Sequence, residues 1–353
     1  MTQQQTAPYV SATDVGHTAT PTTMRAIVQD KYGRPDEVLR LEDLAVPVPK
    51  DDEVLVRVHA ASIHVGDLVT IGGEPIVARM ATGLRKPKNR VPGTDISGTV
   101  VAVGDAVRRL RTGDQVFGWC AGAFAEYACA AEGHFVLKPG NLSFEQAAAV
   151  GVSASAALQL LRGRVRPGQR VLVNGASGGL GSFAVQIARA LGAEVTGVCS
   201  TGNLDTVRSL GAAHVIDYTH DDFTRGEQRY DYILDNIANH SLSRTRRALT
   251  VHGVLQSNNG TSGGRWFGTM RTVIATAILS KFTRRQAGPS IKFPNREDLV
   301  ALIDLVAAGK VRPLIGRTYP LTRAPEAIRL VAGGHAVGTV VLIADQGDVP
   351  PAA

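Results

Sequence analysis

The sequence predicts an α/β protein of two parts, a mostly β first half and a doubly wound parallel sheet behind it. Three observations carry this. Residues Val171-Leu-Val-Asn-Gly-Ala-Ser-Gly-Gly-Leu-Gly181 run as an apolar strand into a glycine-rich turn, and Phe183, Val185, Ile187, Ala188 and Leu191 continue at helical spacing. Ahead of them, β-type runs at 24–29, 53–61, 97–103, 115–118 and 124–130 are punctuated by Gly104-Asp105 and Thr112-Gly113-Asp114. Behind residue 141, helical patterns alternate with strands at 170–174, 194–199, 214–216, 232–235 and 253–256. Such alternation makes a parallel sheet whose ligands lie across the carboxyl ends of the strands.

In chain order, residues 1–23 are rich in Thr, Gln, Ala and Ser, with no basic start and no apolar run, so they read as a disordered tail and not a secretory signal. A first part spans 24–148 and a nucleotide-binding part 149–310, opened near a capping box formed by Ser143 and Gln146. The spacing Ala176-x-Gly178-x-x-Gly181 puts Gly178 where backbone must approach a pyrophosphate and Gly181 where helix meets strand, with Ala176 in place of the first glycine. The whole turn, Gly175, Ala176, Ser177, Gly178, Gly179, Leu180 and Gly181, is therefore the candidate dinucleotide site.

The strand at 194–199 should end beside the adenosine ribose, and it ends in Cys199-Ser200-Thr201-Gly202-Asn203, with hydroxyls and no carboxylate. An NAD site calls for an acid there, so this end favours NADPH. Glu194 opens the strand at the wrong edge, and Asp205 falls in the first turn of a helix.

Between 263 and 294, Met270, Val273, Ile274, Ala277, Ile278 and Phe282 share one helical face. That face reads as a helix packed on the sheet, with a substrate lid, a dimer contact or a membrane-surface helix as alternatives; it is too short to span a bilayer. Asn295-Arg-Glu-Asp298 starts a final helix to Ala308. Residues 311–347, with β-like runs at 317–320 and 338–343, return to the first part, and 348–353 form a tail.

With 353 residues, 44% apolar and 20% charged, the chain suits a soluble two-part protein. Its charge of +7 is scattered over Arg85, Lys86, Lys88 and Arg90, over Arg244, Arg246 and Arg247, and over Arg284 and Arg285. No aromatics interleave with these, so solvated surface is expected and nucleic acid is not. Cys120, Cys129 and Cys199 lack paired spacing, which points to no disulfide framework and a reducing cytoplasm.

The segments Ala60-Ala-Ser-Ile-His-Val-Gly-Asp67, Val91-Pro-Gly-Thr-Asp-Ile-Ser-Gly-Thr-Val-Val-Ala-Val-Gly104, Gly113-Asp-Gln-Val-Phe-Gly118 and Val173-Asn-Gly-Ala-Ser-Gly-Gly-Leu-Gly181 resemble the medium-chain dehydrogenase/reductase superfamily, and within it the zinc-independent quinone oxidoreductase branch. The resemblance spans 24–344 and implies a GroES-like β-domain, a Rossmann domain, a cleft between them for NADPH and substrate, and a homodimer. In the zinc branch the ion takes a cysteine at the position of His64, a histidine at that of Thr94 and a cysteine near Gly151. Only His64 can coordinate here, and a catalytic zinc needs three protein ligands. The closely spaced cysteines of the structural zinc lobe are also missing, so the resemblance implies a metal-free enzyme.

Relatives in that branch often carry asparagine at His64, touching substrate or the nicotinamide ribose. A histidine there can donate a hydrogen bond or a proton, or serve as a satisfied structural residue. Asp67 either orients His64 or caps a turn. The resemblance places Ser200, Thr201 and Tyr218 around the 2′-phosphate, where many relatives add a cation and this chain has Gly202, with Arg208 as a substitute. Asn236 and Asn258 end strands on the nicotinamide side, or simply form turns.

The expected chemistry is hydride transfer from NADPH to a small electrophile, a quinone or an α,β-unsaturated carbonyl, which needs no Lewis acid. The alternatives are a metal-free NADP-dependent alcohol or aldehyde dehydrogenase, and a non-catalytic NADPH-binding sensor or RNA-binding protein.

Overall fold

Strand β1 (Thr23–Val28) pairs antiparallel with β2 (Arg40–Ala45), the helical turn α1 (Pro35–Val38) lying between them. The computed structural model describes residues 20–258 and 294–344. Strand β3 (Glu53–Ile63) is eleven residues long, with Val54, Val56, Val58, Ala60 and Ala61 buried, and centres the first sheet. It leads into α2 (Val65–Gly72) and α3 (Arg79–Thr82), then β4 (Asp95–Val103), β5 (Gln115–Trp119), β6 (Tyr127–Ala131) and β7 (Phe135–Leu137).

Helix α4 (Phe144–Leu161) starts at the expected capping box, Ser143 and Gln146 each accepting from the other's backbone N–H. It is apolar on nearly every side because it packs on β3, β4 and β5 of the first sheet and on a helix of the second.

The second sheet is β8 (Arg170–Asn174), β9 (Glu194–Cys199), β10 (His214–Asp217), β11 (Tyr230–Asp235) and β12 (Leu249–Ser257), all parallel in the order β10-β9-β8-β11-β12. Helices α5 (Gly179–Ala190), α6 (Leu204–Ser209) and α7 (Leu242–Arg247) connect the strands. The order reverses at β8, so the crevice for a ligand opens at the end of that strand.

Helix α8 (Arg296–Ala307) follows, then β13 (Ile315–Pro320), α9 (Ala324–Ala332) and β14 (Thr339–Ile343). Strand β14 pairs antiparallel with β3 and so extends the first sheet. The architecture is a GroES-like β part joined to a parallel, doubly wound Rossmann part, as the sequence predicts.

Several elements differ from expectation. The helix from Asn295 is not the last, since α9 follows it, with proline at its start and Ala324, Ala327 and Ile328 buried in the first core. Strand β2 reads as charged and polar because its outer face holds an ion network, in which Arg40 and Arg90 both pair with Asp30 and Glu42. Residues 124–126 are no strand, although Phe124 and Ala125 are fully buried beneath β1. The tail before residue 20, residues 263–293 of the expected helical insert and the segment after 344 lie outside the described residues.

Candidate functional site

Strand β8 ends at Asn174, and the next residue, Gly175, has a φ of 79° that turns the chain in a way that favours glycine. The tight turn falls to Gly175 and not to Ala176, which is fully buried against Gly197. Ala176 N–H and Gly175 N–H donate to the Val198 carbonyl at 3.0 and 3.2 Å, tying the turn to β9.

Gly178 is the N-cap of α5 and makes no side-chain cap hydrogen bond, so the first amides of the helix face the crevice with no capping side chain. A Cβ on Gly178 would meet only the Gly175 carbonyl at 3.6 Å, so its outer side is open. At Gly181 a Cβ would fall far inside contact distance of that carbonyl, and glycine is required for helix and turn to meet. Leu180 packs on the second core.

The loop before β14 closes the other side, with Gly338 N–H donating to the Ser177 carbonyl at 2.7 Å. A Cβ on Gly179 would approach Thr339 Oγ1 at 3.6 Å and Ser153 Oγ at 3.8 Å. Thr339 Oγ1 is buried without a hydrogen-bond partner. An uncapped helix N-terminus, an open glycine and an orphaned hydroxyl beside them fit a dinucleotide pyrophosphate.

At the end of β9, Asn203 donates to Ser200 Oγ at 3.0 Å and so leaves the Ser200 proton to point elsewhere. Tyr218, 48% exposed, donates its N–H to the Cys199 carbonyl at 3.0 Å. The Thr201 hydroxyl donates to Asp217 at 2.6 Å. A carboxylate therefore does stand at this edge, on β10 and not on β9. Arg208 pairs with Asp205 at 2.7 Å on the exposed face of α6. Glu194 sits at the opposite edge, paired with His214 at 2.8 Å.

On the far side of β8, Asn236 donates to the Asn174 carbonyl at 3.1 Å and accepts from Asn258 at 3.2 Å. Behind them Asp235, buried, accepts from Asn174 and from the N–H groups of Ile237 and Ala238, which holds Ala238 at φ 53°. Asn236 and Asn258 are thus tied to each other and to the end of β8, beside the glycine turn.

His64 and Asp67 come together as a capping box at the start of α2. Gly66 N–H donates to His64 Nδ1 at 2.9 Å, and His64 N–H donates to Asp67 Oδ2 at 2.9 Å. Because Nδ1 accepts, the ring proton sits on Nε2, which is buried with no hydrogen-bond partner and 3.7 Å from Asp67 Oδ2. Thr94 donates to Asp67 Oδ1 at 3.4 Å. Burial pushes the Asp67 carboxyl up, against the pull of His64.

Asp95, which no motif in the sequence singles out, lies next to this group and is fully buried. It accepts from Ser62 at 3.1 Å and from Val152 N–H at 3.0 Å, and burial lifts its carboxyl from 3.8 to about 7. Gly151 packs so closely on that carboxylate that a Cβ would overlap it. Val152 adjoins Ser153, so the His64 group and the glycine turn are joined across one turn of α4.

Known proteins resemble this chain in sequence and in fold. Residues 210–342 match a family model described as zinc-binding dehydrogenase, and residues 50–140 match that of the alcohol dehydrogenase GroES-like domain. Human quinone oxidoreductase is 33% identical, over 91% of this chain and 98% of its own length. The chain belongs to the medium-chain dehydrogenase/reductase superfamily, in its quinone-oxidoreductase-like branch. Within that superfamily the quinone oxidoreductase of Coxiella burnetii superposes with a TM-score of 0.79 at 29% identity, covering 92% of this chain and 100% of its own. That of Escherichia coli, solved in complex with NADPH, superposes at 0.76 with 25% identity, covering 90% and 99%. Membership makes this chain an oxidoreductase that works with a nicotinamide cofactor. Among the described residues, no helix is long and apolar enough to cross a membrane.

Proposed function

We propose that this chain is an NADPH-dependent oxidoreductase that reduces quinones and α,β-unsaturated carbonyl compounds without a metal ion. The observation that carries the reading is the pairing of an uncapped α5 N-terminus with a buried, unpartnered His64 Nε2 across one turn of α4. When bound, NADPH supplies a hydride from its nicotinamide C4. The amides around Gly178, Gly179, Leu180 and Gly181 hold the pyrophosphate, with Ser177 and Thr339 at its flank. Ser200, Thr201 and the Tyr218 ring take the adenosine end, and Asn236 and Asn258 wall the nicotinamide end.

His64 holds a proton on Nε2 and presents it to the acceptor oxygen as negative charge develops there. Asp67 fixes the ring through the backbone of His64, and Thr94 fixes Asp67. A conjugated acceptor spreads its charge onto an oxygen that one such donor can hold, which a simple ketone does not do. Metal independence is supported by the residue types: His64 Nδ1 already accepts from Gly66, the Thr94 hydroxyl donates to Asp67, and Gly151 has no room for a ligand side chain.

The test is NADPH absorbance with chelator-treated protein, comparing quinones and enones with simple aldehydes. Oxidation by the conjugated acceptors alone supports the reading. Saturable NADPH binding with no turnover on any of them would refute it.

A further inference from the structure

The adenosine edge carries one charge that the nucleotide-binding pattern does not account for. Parallel pairing sets Asp217 level with Cys199, so the end of β10 lies beside the turn that leaves β9. Adjacent strands are about 4.8 Å apart, and a side chain at the end of one reaches the turn at the end of the other. Asp217 Oδ2 accepts the Thr201 hydroxyl at 2.6 Å, and Oδ1 accepts the Thr219 hydroxyl at 2.7 Å and the Thr219 N–H at 3.0 Å. These hydroxyls hold the carboxyl below its ordinary range, so it is charged wherever the enzyme works.

We propose that Asp217 sets the balance between the two nicotinamide cofactors, narrowing the preference for NADPH so that NADH is also accepted. The inference rests on the reading that the Ser200, Thr201 and Tyr218 edge receives the adenosine ribose. There the Thr201 hydroxyl has one proton, and Asp217 takes it. A 2′-phosphate would meet a carboxylate one hydroxyl away, whereas a 2′-hydroxyl can donate to the same oxygens. The one arginine of α6, Arg208, is engaged in an exposed pair with Asp205, and Gly202 adds no cation. Specificity at this edge is therefore a contest between the amphoteric Ser200 hydroxyl and one fixed negative charge.

The test is direct titration of NADPH and of NADH, followed by nicotinamide fluorescence or calorimetry, for the wild-type protein and for Asp217→Asn. Wild type should bind both forms. The variant should raise the ratio of the NADH to the NADPH dissociation constant about tenfold, mostly through tighter NADPH, the effect expected of one screened charge removed from beside a doubly charged group. Retained NADH binding shows that the variant is folded, and Asp217→Ser provides the same readout should asparagine disturb the turn. An unchanged ratio with both cofactors still bound would overturn the role of Asp217 and leave the reductase reading standing. Failure of wild type to bind either nucleotide would overturn both.

Discussion

Replacing Asp95 with asparagine should change how the protein's stability depends on pH. The carboxyl lies buried among Ser62, Val152 and Gly151, and folding raises it from 3.8 to about 7. Between those values the folded state binds a proton that the unfolded state has released, so wild-type stability falls as pH rises and levels off above about 7. From pH 5 to the folded value is about two pH units, each about 1.4 kcal/mol, so wild type should lose up to about 3 kcal/mol across this window. The asparagine variant has no such proton. The gap between variant and wild type should therefore widen by about that amount between pH 5 and pH 8, in the variant's favour. Chemical denaturation at a series of pH values measures it, and the widening is independent of any constant difference from a changed hydrogen bond. Parallel profiles would refute the assignment of a buried, near-neutral carboxyl at this position.

Other substitutions separate binding from folding. Gly178→Ala has space and an ordinary φ of −78°, so stability should be unchanged while cofactor affinity falls at least tenfold in a titration. Gly181→Ala forces the helix off the turn and should lower both the melting temperature and the affinity. His64→Leu should lower kcat by about 10²-fold as a general acid is lost, whereas His64→Asn keeps both a cap and a donor and should retain most of the rate. A loss of about 1 kcal/mol in stability with kcat unchanged would make His64 a cap and nothing more.

How much of this was legible in the sequence follows from how local each feature is. The β8 strand, the glycine turn and the α5 face lie within about twenty consecutive residues, and the Ser143 capping box within four, so pattern and spacing sufficed. Asp217 escaped because the strand that matters for the ribose is β9, and only the register between β9 and β10 brings the carboxylate level with Thr201. Asp95 escaped for a similar reason: its environment comes from Ser62 on β3 and Val152 on α4, some thirty and sixty residues away. A visible signal existed in each case, an acid ending the apolar run Val215-Ile216 and another opening Ile96-Ser-Gly-Thr-Val100. Helix α9 was obscured by Pro325, which reads as a breaker but stands at the helix start, where it is tolerated.

The central claim, metal-independent hydride transfer to a conjugated acceptor, is tested most directly with NADPH carrying deuterium at the transferring C4 position. Chelator-treated protein is incubated with a cyclic enone and the product analysed by mass and by NMR. The account predicts one deuterium at the β-carbon of the reduced enone, at a rate that added Zn²⁺ does not raise. No label in any product, or activity that is abolished by the chelator and restored by Zn²⁺, would contradict it.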